Sequence, residues 1–428
     1  MIKKIFTVLA IVLVFAPSIF AQWTYEGAWP DTSYKNGTHG IAVDPDGKVW
    51  TSSYYQDNWV SPNEDTILTS PIFVFNADGT AADFSPIYTV ATGGGFVLDT
   101  LNGRCRGMGV DKDGNILYVQ SGTRKMFKID YKTGEGLARH DFGDELGSDP
   151  TAPSVASDGT IFVGPVVGNG NTSAKIAMYT NDFTLIGDAV VGPPNIARTM
   201  EVSADGLTIY WTTFTGAKGM YIYKRDNALS DFALVDSALI GMSIESSAWN
   251  PATGLLWVSN DARGDSIYGN LTWYGYDTAI GTFADSFAMP VTGQPDEFPR
   301  GLDFSPDGSI AYVGLFGTAF NKIYKFVNTT VDVKEIGNKI PNNFELSQNY
   351  PNPFNPTTVI NFSIPSSSNV TLKVYDMLGR EVASLLNETK AAGSYAVSFD
   401  ASQLSSGTYV YTLTAGNFVS SKKMMLIK

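Results

Sequence analysis

The sequence predicts an all-β protein, a six-bladed β-propeller followed by a small C-terminal β-sandwich. A hairpin unit recurs six times in the central region at a spacing of about 45 to 65 residues, which is typical of propeller blades. An aromatic-rich third strand follows each hairpin, and a fourth strand follows all but the last. The chain then ends in strands of alternating apolar and polar residues between Gly and Pro, a pattern that favours a small sandwich.

The composition excludes several classes of protein. Of the 428 residues, 43% are hydrophobic and 17% are charged, so a large core can form and a wholly disordered chain is excluded. The net charge of −13 argues against nucleic acid and anionic membrane surfaces as partners. One Cys and two His exclude an internal disulfide framework and a His-rich metal cluster.

Residues 1–21 are predicted to be a secretory signal peptide. Lys3 and Lys4 form its basic start, residues 5–15 its apolar stretch and residues 18–21 its small-residue end. The apolar stretch is shorter than a bilayer requires, which disfavours the alternative of an N-terminal membrane anchor. We therefore expect an exported protein with no membrane span in its mature form.

The propeller is predicted over residues 22–327. In each hairpin unit an alternating strand leads into a turn, most often Asp-Gly, because Gly accepts the positive φ of a tight hairpin. The sixth unit lacks a fourth strand, and residues 22–29 have the composition to supply it and close the ring. Large side chains such as Ile41 and small residues such as Gly301 occupy opposite faces of the inner strands, so neighbouring blades can pack large on small. The six units are His39–Trp50, Arg106–Tyr118, Pro153–Phe162, Arg198–Tyr210, Ser246–Trp257 and Arg300–Tyr312.

In blade rhythm and turn chemistry, residues 23–327 resemble six-bladed propellers of the group that includes the gluconolactonase-like and NHL-type proteins. For lactonases of that group the resemblance implies a central divalent metal held by Glu, Asn and Asp, with the Glu in a Glu-Gly-Pro-like stretch near the first inner strand. Here His39 and Gly40 stand at that place, and no matching Asn or Asp follows. This departure argues against lactonase chemistry.

Alignment on the turns places one residue of each blade at the start of its inner strand, on one rim of the channel. Arg106, Arg198 and Arg300 hold this position in alternate blades. Arginine presents a planar fork of donors that suits carboxylate, sulfate or phosphate, so we predict a ligand rim there. The alternative is that the arginines pair with acidic residues and tie the blades together. The aligned residues are His39, Arg106, Thr151, Arg198, Glu245 and Arg300, and the acidic partners considered are Glu201, Glu245, Glu297 and Asp303.

The longest loop of this rim, residues 51–70, carries three aromatic side chains. Aromatic rings on an exposed loop can stack on sugars or peptides, and a long loop can equally fold back and bury its own rings. His39 could act as a general base with Glu245 or Glu297, or serve as a hydrogen-bonded rim residue. No catalytic residue is assigned. The candidate ligand-binding residues are His39, Tyr54, Tyr55, Trp59, Arg106, Arg198, Glu245 and Arg300.

Residues 328–342 lose the repeat and are predicted to be a linker, and residues 343–428 form the predicted sandwich. This segment contains Asn-Tyr-Pro-Asn-Pro-Phe-Asn-Pro at 349–356, Tyr-Asp-Met-Leu-Gly-Arg-Glu-Val at 375–382 and Leu-Ser-Ser-Gly-Thr-Tyr at 404–409, then a basic tail. It closely resembles the type A C-terminal sorting domain of type IX secretion cargo from the Bacteroidota and their relatives. The resemblance implies export by the general secretory route, then passage across the outer membrane of a diderm bacterium, ending in release or attachment at the cell surface. A carbohydrate-binding sandwich is the alternative.

The function predicted from the sequence is that of an exported extracellular or cell-surface propeller, acting as a ligand-binding or scaffold module for an anionic glycan or peptide. The C-terminal domain is expected to have the type IX secretion machinery as its partner. No cofactor is expected. The competing hypothesis is a metal-assisted, lactonase-like hydrolase or lyase in which Glu201, Glu245 and Asp303 hold a divalent metal in the channel.

Overall fold

A computed structural model describes most of the chain after the predicted signal peptide. Residues 1–21 lie outside the described part, as does most of the predicted linker. Within the described part, no helix long and apolar enough to cross a membrane is found. The described residues are 23–30, 38–92, 97–167, 173–261, 267–290, 297–317, 322–328, 333–335, 341, 343–349, 352–401 and 404–428.

Short strands build the central region. They are β1 (Trp23–Ala28), β2 (Thr38–Val43), β3 (Val49–Ser53), β4 (Asp57–Val60), β5 (Thr66–Thr69), β6 (Ile72–Phe75), β7 (Thr89–Thr92), β8 (Val97–Thr100), β9 (Arg104–Val110), β10 (Ile116–Ser121), β11 (Lys125–Ile129), β12 (Gly136–Asp141), β13 (Ser154–Val155), β14 (Ile161–Val163), β15 (Lys175–Tyr179), β16 (Leu185–Val191), β17 (Met200–Val202), β18 (Thr208–Thr213), β19 (Gly219–Lys224), β20 (Ala233–Ala238), β21 (Ser247–Trp249), β22 (Leu256–Asn260), β23 (Thr272–Asp277), β24 (Thr282–Ala288), β25 (Glu297–Phe304), β26 (Ile310–Gly317) and β27 (Ile323–Asn328).

In the described central region most of these strands form six antiparallel sheets, which we call blades 1 to 6, while β4-β5 and β7-β8 form separate two-stranded hairpins. Blade 1 is β2-β3-β6, blades 2 to 5 are β9 to β12, β13 to β16, β17 to β20 and β21 to β24, and blade 6 is β25-β26-β27-β1. Each innermost strand contacts the innermost strands of both neighbouring blades, in the order β2, β9, β13, β17, β21, β25 and back to β2. The predicted all-β propeller is therefore confirmed.

Blade 1 departs from the predicted four-strand pattern. Its described sheet has three strands, and the chain beyond β6 adds only two isolated bridges, first Phe75 with Ala81 and then Ile72 with Ile87. Pro86 adjoins the second bridge, and proline has no N–H to continue a ladder. The chain then forms the separate hairpin β7-β8, whose first strand lies next to β12 of blade 2. The prediction of a fourth strand was wrong here.

Blade 6 is completed by the first strand of the described chain. β1 pairs antiparallel with β27, from Trp23 opposite Asn328 to Ala28 opposite Tyr324. The Trp23 indole donates a hydrogen bond of 2.8 Å from Nε1 to Asp285 Oδ2 of blade 5. This confirms that the strand preceding the first repeat closes the ring.

The Asp-Gly turns form as the sequence predicts. In the first hairpin Asp44 Oδ1 accepts backbone N–H groups of Asp46 and Lys48 at 3.0 and 2.9 Å. Gly47 has a φ of 82°, which only glycine adopts without strain. These turns set where each inner strand begins and therefore which residues reach the channel.

The inner strands of neighbouring blades pack closely, with a large side chain of one strand against a small residue of the next. A Cβ atom added to Gly301 of blade 6 would lie 2.8 Å from Ile41 Cγ1 of blade 1. We expect Gly301→Ala to lower the free energy of unfolding by about 1–3 kcal/mol, because the added methyl group overfills this contact. In an Ile41→Ala background the same substitution should cost much less, since the clashing side chain is gone. Urea titrations of the four variants test this, and equal costs in both backgrounds would contradict it.

The C-terminal segment forms two four-stranded sheets, which share one buried core. Val333–Glu335 lies inside the predicted linker, yet it pairs with Gly393–Asp400 of this unit. The strands are β28 (Val333–Glu335), β29 (Glu345–Leu346), β30 (Thr357–Ile364), β31 (Ser368–Tyr375), β32 (Glu381–Lys390), β33 (Gly393–Asp400), β34 (Gly407–Ala415) and β35 (Phe418–Leu426). Their order is β28-β33-β30-β29 in one sheet and β32-β31-β34-β35 in the other.

Candidate functional site

The starts of the inner strands enclose a small cavity on the axis of the ring, which we call the central cavity. Its volume is about 40 Å³, and all six blades contribute to its wall. Five of the six aligned residues line it, while in blade 3 Ala152 does so in place of Thr151. The titratable wall residues are His39, Arg106, Arg198, Glu245 and Arg300.

Glu245 joins two of the arginines. Its carboxylate contacts Arg300 Nε and lies 3.7 Å from Arg198 Nε. The Glu245 side chain is only 1% exposed. Burial raises the pKa of Glu245 to about 7, although the charges of Arg300 and Arg198 act in the opposite direction. These ion pairs link blades 4, 5 and 6. Arg198 and Arg300 therefore pair with an acidic residue and connect blades, as the alternative interpretation predicts.

His39 is buried and held by Arg300. Its Nε2 lies 3.3 Å from Arg300 Nη1. A guanidinium group can only donate, so Nε2 accepts and the proton of the neutral ring is on Nδ1. Burial, reinforced by the charges of Arg300, Arg198 and Arg106, holds the pKa of His39 well below its usual range. The lone pair that a general base would need is therefore engaged by Arg300.

Several polar atoms of the cavity wall lack hydrogen-bond partners among the described residues. Apart from the atoms of the Glu245 ion pairs, they are His39 Nδ1, Arg106 Nε, Arg198 Nη1 and Ser246 Oγ, and all are buried. Buried polar atoms are rarely left unpaired, because each costs about 1–3 kcal/mol. Burial and the charges of Arg300 and Arg106 also lower the pKa of Arg198 to about 9, despite Glu245. The cavity wall thus presents hydrogen-bond donors without acceptors, and its positive charges outnumber its negative ones.

Tyr54 lies among the cationic side chains of the rim. Arg104 Nη1 donates to its Oη at 3.1 Å, and the guanidinium carbons of Arg104 and Arg106 each lie 5.0 Å from its ring centre. Burial acts to raise the pKa of Tyr54, but the Arg104 hydrogen bond and the nearby arginine charges bring it below its usual value. Sequence reasoning missed Arg104, although the spacing Arg-Cys-Arg puts Arg104 and Arg106 on one side of a strand.

The other two aromatic side chains of the rim loop also have partners within the protein. Tyr55 stacks on Phe316 with ring centres 5.2 Å apart, and Trp59 stacks on Tyr88 at the same distance. Both partners lie outside the loop, Phe316 on β26 of blade 6 and Tyr88 just before β7, so the loop packs against neighbouring parts of the propeller. Tyr55 nevertheless remains 51% exposed, so one of its surfaces is open to a ligand.

A second, larger cavity adjoins the central one and is called the rim pocket. Its volume is about 240 Å³, and Arg106 lines both cavities. The sequence gives no local motif for it, because its wall combines the rim loop with loops of blades 2 and 3. The polar side chains of its wall include Tyr54, Asn102, Arg104, Ser121, Thr123 and Asp149.

Glu201 and Asp303 lie three residues further along their strands than Arg198 and Arg300. Glu201 accepts hydrogen bonds from Ser154 Oγ at 2.9 Å and Ser247 Oγ at 3.1 Å, and Asp303 accepts one from the Val43 N–H at 2.7 Å. Burial raises the pKa of Glu201 to about 8 and that of Asp303 to about 7.

Glu245 lies instead beside Arg198 and Arg300 at the wall of the central cavity. The three carboxylates proposed as metal ligands therefore lie at two different depths in the channel. Within the described ranges no group of three or more His, Cys, Asp or Glu side chains could hold a metal ion. The carboxylates of Glu201 and Asp303 are already used by serine hydroxyls and backbone N–H groups. This arrangement does not fit a shared divalent metal.

Comparison with known proteins decides the nature of the C-terminal unit. Residues 348–428 match the family described as the secretion system C-terminal sorting domain. The C-terminal unit is a sorting domain. The resemblance seen in its motifs is thereby confirmed, and the protein is a type IX secretion cargo that is secreted or displayed at the cell surface.

The propeller has solved structural neighbours of low sequence identity. A putative gluconolactonase is 14% identical with a TM-score of 0.47, covering 72% of this chain and 98% of its own. Virginiamycin B lyase from Staphylococcus aureus is 12% identical with a TM-score of 0.44, covering 72% and 99%. The calcium-binding protein regucalcin from Agrobacterium tumefaciens is 15% identical with a TM-score of 0.46, covering 71% and 95%. Such similarity concerns the fold alone, and no curated protein matches the sequence significantly.

Proposed function

We propose that this secreted propeller is a ligand-binding module whose central cavity takes the anionic group of an extracellular ligand, a glycan or a peptide. The observation that carries the proposal is the convergence of unpaired buried donors from blades 1, 2, 4 and 5 on one cavity. His39 Nδ1, Arg106 Nε and Arg198 Nη1 are all donors, and an anion with several oxygen atoms accepts from such a set.

Charge supports the same assignment. Among the described residues, three arginines face the cavity, and the acidic groups that oppose them are Glu245 and its neighbour Asp261. Even with both carboxyl groups ionised, one positive charge is left over. An anion would supply the missing charge in a place where solvent screening is weak.

Size limits what can enter. A cavity of about 40 Å³ has room for roughly three waters, since one water needs about 10–15 Å³ by the same measure. That is the scale of a carboxylate or sulfate group and excludes a whole sugar ring or amino acid. The remainder of the ligand must therefore lie outside the central cavity.

The test is a double variant, Arg106→Gln with Arg198→Gln, which leaves the Arg300 and Glu245 pair in place. Inorganic sulfate and galacturonate are titrated calorimetrically into the secreted protein at constant ionic strength. Each charged hydrogen bond contributes about 1.5–3 kcal/mol, so we expect the affinity to fall about a hundredfold or more.

The matched control is Arg139→Gln, which removes one positive charge from an outer strand of blade 2 and should leave the affinity unchanged. The proposal is wrong if the double variant binds both anions as tightly as the wild type. It is equally wrong if the wild type binds neither anion.

A further inference from the structure

The central cavity and the rim pocket share a wall residue. Arg106 lines both, and its guanidinium lies 5.0 Å from the ring centre of Tyr54, which lines the rim pocket. Both cavities border on the Arg106 side chain, so a ligand that extends past this guanidinium would occupy both. The larger volume there, about 240 Å³, has room for about 16–24 water-sized atoms by the same measure, which is enough for one sugar unit.

The chemistry of the rim pocket distinguishes between a glycan and a peptide. Its wall offers the Ser121 hydroxyl and the Asn102 amide as both donors and acceptors. The Thr123 hydroxyl already donates to Gln120 Oε1 at 2.9 Å, and Asp149 Oδ1 already accepts from Arg124 Nε at 3.3 Å, so these two wall residues are left to accept from a ligand. This mixture of donors and acceptors suits the hydroxyl groups of a sugar, each of which both donates and accepts. An extended peptide would instead use the main-chain groups of a sheet edge and apolar pockets for alternate side chains, and the wall of the rim pocket consists of polar side chains and glycines.

We propose that the ligand is an acidic oligosaccharide, whose carboxylate or sulfate group enters the central cavity between Arg106 and Arg198 while an adjoining sugar unit occupies the rim pocket. This inference rests on the proposed function and adds the ligand class and a second subsite. It requires that binding strengthen with chain length, because a single acidic sugar can fill only part of the two neighbouring cavities.

The experiment compares four probes: galacturonate, tetragalacturonate, the neutral galactotetraose and hexaglutamate. Calorimetric titrations are run on the wild type and on a rim variant, Asn102→Ala with Ser121→Ala. The wild type should bind tetragalacturonate at least about tenfold more tightly than galacturonate, and it should bind the neutral tetramer and the peptide weakly. The rim variant should lose about tenfold for tetragalacturonate and less than about twofold for galacturonate or sulfate.

Failure of this inference can be told apart from failure of the proposed function. If sulfate and galacturonate bind through Arg106 and Arg198 but the tetramer gains nothing, only the second subsite is wrong. If hexaglutamate binds as tightly as tetragalacturonate, the glycan class is wrong and a peptide ligand takes its place. A rim variant that binds tetragalacturonate like the wild type also overturns the inference, and its thermal unfolding midpoint shows whether it is folded.

Discussion

Replacing Arg300 with Gln should lower the free energy of unfolding of the propeller by about 3–5 kcal/mol at pH 8. Arg300 is 6% exposed and its partner Glu245 is 1% exposed, so the substitution leaves a buried carboxylate without its main partner, which carries a penalty of this size. It also removes the donor to His39 Nε2. The loss exceeds what we expect for Arg106→Gln, because Arg106 has no ion pair among the described contacts.

The loss should depend on pH in a definite direction. Glu245 already has a pKa raised to about 7, and removal of Arg300 raises it further because a positive neighbour is lost. At pH 5.5 the carboxyl group is protonated in the variant, so no buried charge is stranded and the cost should be clearly smaller. An equal loss at both pH values would contradict the argument.

Tryptophan fluorescence gives a clean measurement of this effect. All eight Trp residues lie between residues 23 and 273, so urea titrations followed by fluorescence report the unfolding of the propeller and not that of the sorting domain. The control is Glu245→Gln with Arg300→Gln, in which the acid is also neutralised. It should be more stable than Arg300→Gln alone at pH 8.

The second large effect is a fall in stability as the pH rises. The folded-state pKa values of Glu201 and Asp303 are raised to about 8 and about 7, above their values in the unfolded chain. The native state therefore binds more protons than the unfolded state between about pH 4 and pH 8. The stabilisation is complete at acidic pH and is lost as the pH rises through 7 and 8. We expect a decrease of a few kcal/mol between pH 5 and pH 9.

Glu201→Gln should flatten this profile. The amide keeps the size of the side chain and can still hydrogen-bond with Ser154 and Ser247, whose hydroxyl groups can reorient. Unfolding midpoints in urea at pH 5, 7 and 9 measure the slope. The exposed Glu135→Gln serves as the control and should leave the profile unchanged, whereas a Glu201→Gln profile as steep as that of the wild type would refute the assignment.

Much of the architecture follows from local pattern. Asp-Gly turns recur in five of the six blades, and alternating strands flank them, so the register of Arg106, Arg198 and Arg300 is predictable from the sequence. Trp23 could be matched to the incomplete sixth blade because a missing strand and a spare one were both visible. The sorting domain was recognisable because its motifs stand in a fixed order.

The details of the site depend on contacts between blades, which no local pattern encodes. Glu245 turns to Arg300 while Arg106 turns to Tyr54, and the choice depends on side-chain packing around the axis. The rim pocket is assembled from loops distant in sequence. The three-stranded blade 1 depends on where Pro86 interrupts the ladder. These features depend on chain segments that meet only in the folded ring, and sequence reasoning therefore could not predict them.

The pairing of Trp23 with Asn328 determines which step in the folding of the propeller comes last. The two residues are separated by about three hundred positions, so this is the longest-range strand contact of the propeller and one of high entropic cost. Blade 6 cannot be completed until β27 is present, because β27 is the strand that pairs with β1. Until then the edge of β1 is unpaired. The residues that complete the ring are also the last before the segment leading to the sorting domain. The propeller can therefore close only when the chain is present up to the segment that leads to the sorting domain.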